Sequence, residues 1–446
     1  MIHIPSSEIK QPDLHADTLG FTFIWQGHFL RGIFPQSMEV AKSYFDTGFL
    51  DEVTSKGLFP KTWISEYENE LFGMIIEHEM ISPVLFATEW NFEMLKDAAL
   101  MVLEIAQIGW KYGYNMVDCH KKNVLFKNNC PIYVDLGSFG KRKKGSTGWN
   151  PYTSFLHSYY YLLSLWSSGA TTLAKRMMAP GLELDDKDYW AFKSLLFRRF
   201  PKLRNSYTMI QGGLCRVAVW GTERVASESS AVRFIKPVVD KLKPSRSQRL
   251  QTVEKKVKRI KASNKTISLL QEKDKKIDSF VNLISEYFDS CSSITFINNA
   301  RKGYYEAVQE HTHIEKIISV QENEEISNAE YLDIRNHKLK VCSSYLRLLN
   351  NTILVRGQLP ENRLRSDIAF VPQFILSNGM FGMHNSVVFA EHCLGYSRKA
   401  LILGLDSQND ELQAMLGKHH ELTYVSSDEN DVNKGFVGNY LIVYNE

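Results

Sequence analysis

Between Asn115 and Phe139 the chain reads NMVDCHKKNVLFKNNCPIYVDLGSF. An acid on a loop, Asp118, is followed by an amide, Asn123, then a strand, a polar turn and a second strand that ends in Asp135-Leu136-Gly137. An acid that orients a hydroxyl, with an amide and a second carboxylate holding a hard cation on phosphate oxygens, is the chemistry of phosphoryl transfer. Each acid alone would serve equally well as a turn cap. The order of all three along one hairpin is what points to a site, with Asp118 as its catalytic residue and Asn123 and Asp135 as ligands for magnesium. Neighbouring His120 and Cys119 read as a loop residue and a packing residue.

The elements that must position these residues are legible around them. Gly20 to Phe34 carries two aromatic and β-branched runs split by Gln26-Gly27, the pattern of a β-hairpin, and Arg31 on its second strand is the cation available for phosphate. Ser37 to Phe49 predicts a helix, and Glu39 is its candidate to brace Arg31 beside a nucleotide. Trp63 to Met80 predicts two short strands, and EHEMISPVLFATEW a hinge. From Asn91 to Tyr112 apolar residues recur at helical spacing, giving a buried helix that leads into the Asp118 loop. A G-x-G-x-x-G loop, the usual phosphate cover, is absent from this part of the sequence.

Composition sets the limits. The chain has 446 residues, 44% hydrophobic and 23% charged, enough for two or three packed cores. Its formal net charge of +3 does not imply nucleic-acid binding. Cysteines at 119, 130, 215, 291, 342 and 393 show neither C-x-x-C spacing nor the density of a disulfide scaffold. With no signal-like start and no long apolar run, the expectation is a cytoplasmic protein.

The run EHEMISPVLFATEWNFEMLKDAAL, the Asp118 to Asn123 loop, PIYVDLGSF, Gly148-Trp149 and YTSFLHSYYYLLSLW together resemble a bacterial two-domain family. In that family a protein-kinase-like domain precedes a class I S-adenosylmethionine-dependent methyltransferase domain. The resemblance spans Asp17 to Thr222 and is densest over Leu71 to Trp166. It implies an α+β bilobal kinase-like fold over 1–240, with lobes at 1–80 and 81–240, and ATP with magnesium as cofactors. The basic loop GKRKKGSTGW, with Lys141, Arg142, Lys143 and Lys144, takes the place of an activation segment. The aromatic cluster of Tyr152 to Trp166 and the stretch Asp185 to Arg204 read as helical core.

From Lys241 the chain turns basic and loses its aromatics. Val253, Val257 and Ile260 at helical spacing predict a surface helix in a linker over 241–290, solvated or resting on an anionic membrane. After it, ITFIN, KIISV, YLDI, a helix around SSYLRLLNN, DIAFV, a helix through NSVVFAEHCLGY, KALILGL, YVSS and NYLIVYN alternate as in an α/β Rossmann-like domain over 291–446. RLRSDIAFVPQFILSNGMF and KALILGLDSQND resemble the methyltransferase half of the same family. Its members bring a glycine-rich turn after the first strand to the cofactor and hold the ribose with an acid after the second. Here the turn is FINNARKGYYEA, keeping Gly303 but placing Asn298 and Asn299 where an acid and a glycine are expected, and only Glu322 is available for the ribose.

Because a side chain blocks backbone approach at such a turn, the expectation is a degenerate, non-catalytic methyltransferase-like domain that does not use S-adenosylmethionine. The leading reading is therefore an ATP- and magnesium-dependent phosphotransferase. It would act on a hydroxyl of a sugar, glycan or other small molecule, with surface-polysaccharide biosynthesis as the family context. Two alternatives stay open: a scaffold with both sites inactive, and a methyltransferase regulated by the kinase-like half.

Overall fold

The computed structural model describes residues 2–10, 17–142, 151–193, 246–263, 267–271, 274–345, 364–376, 382–426 and 438–445. The chain forms two compact units. The first comprises Met1–Ile81, Leu95–Leu125 and Pro131–Ser263, the second Ser82–Met94, Phe126–Cys130 and Asn264–Glu446. Lys143 and Lys144 of the basic loop, the part of Asp185 to Arg204 beyond 193 and most of SSYLRLLNN lie outside the described residues.

In the first unit, β1 (Gly20–Trp25) and β2 (His28–Ile33) pair antiparallel with Trp25 opposite His28. The two-residue turn works because Gln26 and Gly27 both take positive φ, at 46° and 85°. β3 (Thr62–Ile64) and β4 (Met74–His78) complete a sheet of order β1-β2-β4-β3. Alternation along β1 puts Phe21 and Phe23 into a core with Leu30, Phe72 and Ile75. The predicted helix is α1 (Met38–Asp46), and the aromatic cluster forms helical segments over 152–167 with Phe155, Tyr159 and Trp166 fully buried.

The basic segment forms the predicted helix. This helix, α2 (Arg246–Arg259), buries Leu250, Val253 and Val257 within the first unit, and Lys256 Nζ lies 5.6 Å from the Tyr160 ring centroid. No helix among the described residues is long and apolar enough to cross a membrane.

The second unit is built on seven strands: β5 (Ser293–Ile297), β6 (Lys316–Gln321), β7 (Val341–Tyr345), β8 (Ser366–Val371), β9 (Ser397–Leu405), β10 (Leu422–Ser426) and β11 (Asn439–Tyr444). They lie in the order β7-β6-β5-β8-β9-β11-β10. The first five are parallel, and β11 runs antiparallel to both of its neighbours. β5 and β7 are buried at every position, although their sequences SITFI and VCSSY include the hydroxyl side chains of Ser293, Thr295, Ser343 and Ser344. Phe280, Phe296 and Phe370 anchor the core, with Phe280 and Phe370 stacked at 3.9 Å. This is the expected Rossmann-like α/β sheet, with two differences. The predicted helix around SSYLRLLNN begins in a strand, since Ser343, Ser344 and Tyr345 end β7. YLDI is not a strand: it lies in α4 (Glu324–His337), after α3 (Tyr304–His311). Asn323 caps α4, accepting from the backbone N–H groups of Glu325 and Ile326, so the helix starts before the apolar run that resembles a strand.

β7 is an edge strand, and Asn129 of the same unit covers it. Asn129 Oδ1 accepts from Ser343 N at 2.9 Å and its Nδ2 donates to Ser343 Oγ at 3.0 Å, while its carbonyl accepts from Tyr331 Oη at 3.1 Å. Pairing a side-chain amide with the strand's own N–H blunts an edge that another chain would otherwise extend. Asn129→Ala is expected to lose about 2 kcal/mol, because the buried Ser343 N–H is left without a partner. Urea unfolding measures this, and an unchanged midpoint would contradict it.

Candidate functional site

Two polar constellations carry the chemistry-bearing residues, one in each unit. In the first, pairing of Arg31 on β2 with Thr22 and Ile76 on the flanking strands holds its backbone, and the residue is only 6% exposed. Its guanidinium reaches Asp17 Oδ2 at 2.5 Å and Asp135 Oδ1 at 3.3 Å. Asp135 also accepts from Gly137 N at 3.1 Å and from Ser138 Oγ at 2.5 Å. Asn123 Nδ2 lies 3.2 Å from Asp118 Oδ2 and 3.3 Å from Asp135 Oδ2, and Asp118 Oδ1 accepts from His120 N at 2.8 Å.

Arg31, Asp118, Asn123 and Asp135 therefore converge as their order along the chain suggests. Glu39 does not. Its carboxylate is exposed and pairs with Lys141 Nζ at 2.6 Å, which holds its pKa below the usual carboxylate value. The bracing partner of Arg31 is Asp17 instead, a residue that no local pattern marks. Burial, with Arg31 adding to it, holds the nearby His78 imidazole neutral, its pKa lowered to about 3.

The cluster is compensated by the chain itself. The guanidinium neutralises Asp135, and the Asn123 amide bridges the two acids. Among the described residues no group of three or more His, Cys, Asp or Glu side chains converges as a metal site.

In the second unit the chain turns back at β5. β6 lies on one side of it and β8 on the other, so the crevice beyond the carboxyl ends of β5 and β8 is the topological switch point of the sheet, where open α/β sheets hold ligands. The turn after β5 starts with Asn298 at φ +53°, the left-handed region glycine adopts freely and asparagine tolerates best among the other residues. Asn298 Oδ1 accepts from Glu322 N at 3.0 Å, and its Nδ2 lies 3.4 Å from Glu322 Oε2. The acid after the second strand thus stands directly against the turn after the first.

Further along, Asn299 Oδ1 accepts from Arg301 N at 3.0 Å, and Gly303 at φ +97° opens α3. That positive φ favours glycine, and a Cβ there would also displace the Ile277 side-chain end, 2.5 Å away. Arg301 Nη2 donates to Gln373 Oε1 at 3.1 Å, and a cavity of about 30 Å³ beside them is lined by Lys276, Arg301, Gln373, Asp406 and Tyr440.

Under the turn lies a buried network that the sequence reading missed. Glu330 of α4 is 1% exposed and accepts from Tyr305 Oη, from Ser319 Oγ at 2.7 Å and from Gln321 Nε2 at 3.3 Å. Burial raises its pKa to about 7 against the lowering effect of those donors. Gln321 Nε2 also donates to the Asn299 carbonyl at 2.7 Å, tying the network to the turn. Its only sequence signal was an acid on the apolar side of what is now α4.

Neither a protein-family model nor a curated protein matches this chain. Solved structures do show likeness. A putative tRNA (m1A22) methyltransferase of Streptococcus pneumoniae is 13% identical over 37% of this chain and 68% of its own, with a TM-score of 0.26. TrmK of M. capricolum, in complex with S-adenosyl-homocysteine, is 9% identical over 37% and 67%, also at 0.26. An S-adenosylmethionine-dependent methyltransferase from Clostridium acetobutylicum is 12% identical over 35% and 58%, at 0.24. At such identities and scores the likeness carries no residue's role to this chain. The expected phosphotransferase, with ATP, magnesium and polysaccharide biosynthesis, is corrected by these findings, as is the exclusion of S-adenosylmethionine: the similar structures are methyltransferases, and a kinase-like half finds no support in them.

Proposed function

We propose that the second unit binds S-adenosylmethionine at the switch-point edge of its sheet and that the chain is a methyltransferase. The observation that carries this is Glu322 standing at the end of β6 against the left-handed Asn298 turn at the end of β5. Degeneracy is expected if a side chain at this turn blocks backbone approach to the cofactor. Asn298 keeps the left-handed backbone, and its side chain is bonded to Glu322.

When bound, the cofactor supplies an electrophilic methyl group on a sulfonium. The chain's part is to hold and orient it. Glu322 would accept from ribose hydroxyls in charge-assisted hydrogen bonds, and Arg301 and Lys276, which line the adjoining cavity, would take its carboxylate. Preorganised positioning of this kind accounts for most of what such a site must do.

The test is calorimetric titration with S-adenosyl-homocysteine, supported by thermal shift, since a ligand that binds only the folded state raises the midpoint. Glu322→Ala is expected to weaken binding about ten- to a hundredfold, the loss of about 1.5–3 kcal/mol from a charge-assisted hydrogen bond. Absence of binding in the unmodified protein would sink the proposal, and equal binding in the variant would remove Glu322 from it.

A further inference from the structure

Glu330 touches neither the crevice nor any group proposed to meet the cofactor, yet it sits beneath the turn that forms the crevice floor. Two side chains stand between them: Tyr305, which donates to Glu330 and faces the Asn299 side chain, and Gln321. Gln321 Nε2 is shared between the Asn299 carbonyl at 2.7 Å and Glu330 Oε1 at 3.3 Å, whereas Gln321 Oε1 is buried with no hydrogen-bond partner. A buried acceptor left idle is unusual, since buried polar groups are nearly always paired. On the same amide as the nitrogen that meets Glu330, it gains a donor when Glu330 carries a proton and the amide turns over.

We propose that Glu330 is a positioning residue for the cofactor turn, acting through the Gln321 amide. Ionised Glu330 holds Gln321 Nε2 toward itself and toward Asn299, which fixes the turn. Protonated Glu330 donates its O–H to Gln321 Oε1; the amide turns over to receive it, and the Asn299 carbonyl loses its donor. The turn therefore has two states, chosen by one proton. The inference rests on the methyltransferase reading only for which ligand feels the turn.

Geometry makes the device self-contained. From α3 the facing titratable group is Tyr305; from β6 the facing groups, Ser319 and Gln321, are uncharged. On its own helix Asp333 raises the Glu330 pKa further, and Asp333 is itself held by Lys302 Nζ of the turn at 3.1 Å and His337 Nδ1 at 3.7 Å. The carboxyl titrates about neutrality, so both states are populated in the range where proteins ordinarily work. Binding and protonation are then linked: a ligand that prefers the fixed turn binds more tightly as pH rises.

The experiment follows amide hydrogen exchange of the peptide covering residues 297–304 in the full chain from pH 5.5 to 8.5, as protection relative to intrinsic rates. Protection is expected to rise about tenfold across neutrality, as does affinity for S-adenosyl-homocysteine, a tenfold change being one decade in the equilibrium. Glu330→Gln, isosteric and uncharged, should flatten both profiles. Tyr305→Phe, which removes one donor to the carboxylate, should move the midpoint to higher pH, and His337→Gln should leave it in place. A flat profile in the unmodified protein, or the same profile in Glu330→Gln, would overturn the proposal. If Glu330→Gln fails to fold, the Tyr305→Phe midpoint decides alone. A turn transition with no S-adenosyl-homocysteine binding at any pH would support the coupling while overturning the methyltransferase reading.

Discussion

Arg31→Ala is expected to destabilise the protein by about 3–5 kcal/mol, the range for removing one partner of a buried ion pair. The residue is nearly inaccessible, and its guanidinium joins Asp17 to Asp135. Those carboxylates come from a segment before β1 and from the end of the Cys130–Tyr133 hairpin, so one cation ties together chain regions more than a hundred positions apart. Without it two partly buried acids face each other. Asp17 also packs against Gly137, where a Cβ would lie 2.3 Å from Asp17 Oδ2. Urea unfolding of the Arg31→Ala and Asp17→Asn variants measures the loss. Asp17→Asn should cost less, because Arg31 keeps Asp135. Glu39→Ala, which breaks only the exposed pair with Lys141, should leave the midpoint where it is. If Arg31→Ala unfolds like the unmodified protein, the cluster is not what holds these segments together.

The same cluster shows what was legible in the chain. Asp118, Asn123 and Asp135 lie on consecutive elements, so their convergence follows from local order. The β1–β2 hairpin follows from its aromatic alternation and from Gln26-Gly27. Asp17 could not be found in this way. It meets Arg31 only through the path of the chain before β1, and no spacing rule encodes that path. Glu39 failed for the opposite reason: it occupies the right helix, but on an exposed face beside Lys141.

In the second unit most strands are legible as short apolar runs, but their order in the sheet is not, and VCSSY, which forms β7, carries too few apolar residues to stand out as one. YLDI looks like a strand because a short apolar run has no period of its own. The Asn323 cap, followed by two glutamates, was the available correction. The turn after β5 is the more instructive case. The expectation there rests on a side chain blocking approach, whereas Asn298 takes the positive φ of such a turn and bonds its side chain to Glu322. The helix of residues 246–259 is legible from the spacing of Val253 and Val257, but the surface that covers its stripe is not encoded in the local sequence.

A second large effect is expected from pH. Glu330 has a folded pKa of about 7, above the 4.5 of an ordinary glutamate. Below pH 4.5 the carboxyl is protonated in both folded and unfolded states and burial carries no ionisation penalty. As pH rises from there, the unfolded chain ionises first, so the folded state loses stability until Glu330 also ionises near neutrality. The separation of the two pKa values corresponds to about 3 kcal/mol. His78 acts in the opposite sense: its folded pKa of about 3 lies below the usual imidazole value of 6.5, so its contribution is present above pH 6.5 and is lost as pH falls. The two windows overlap between about pH 4.5 and 6.5, and the raw stability profile will therefore be flatter than either group alone would make it. The difference between the unmodified protein and Glu330→Gln isolates the first contribution, because His78 is common to both. That difference should widen by about 3 kcal/mol between pH 4.5 and 7.5, the variant gaining relative to the parent, as read from urea unfolding at fixed ionic strength. A constant difference would mean that Glu330 ionises as readily inside the fold as outside it. A widening difference together with a turn that responds over the same interval would tie one buried proton both to the stability of the second unit and to the order of its crevice.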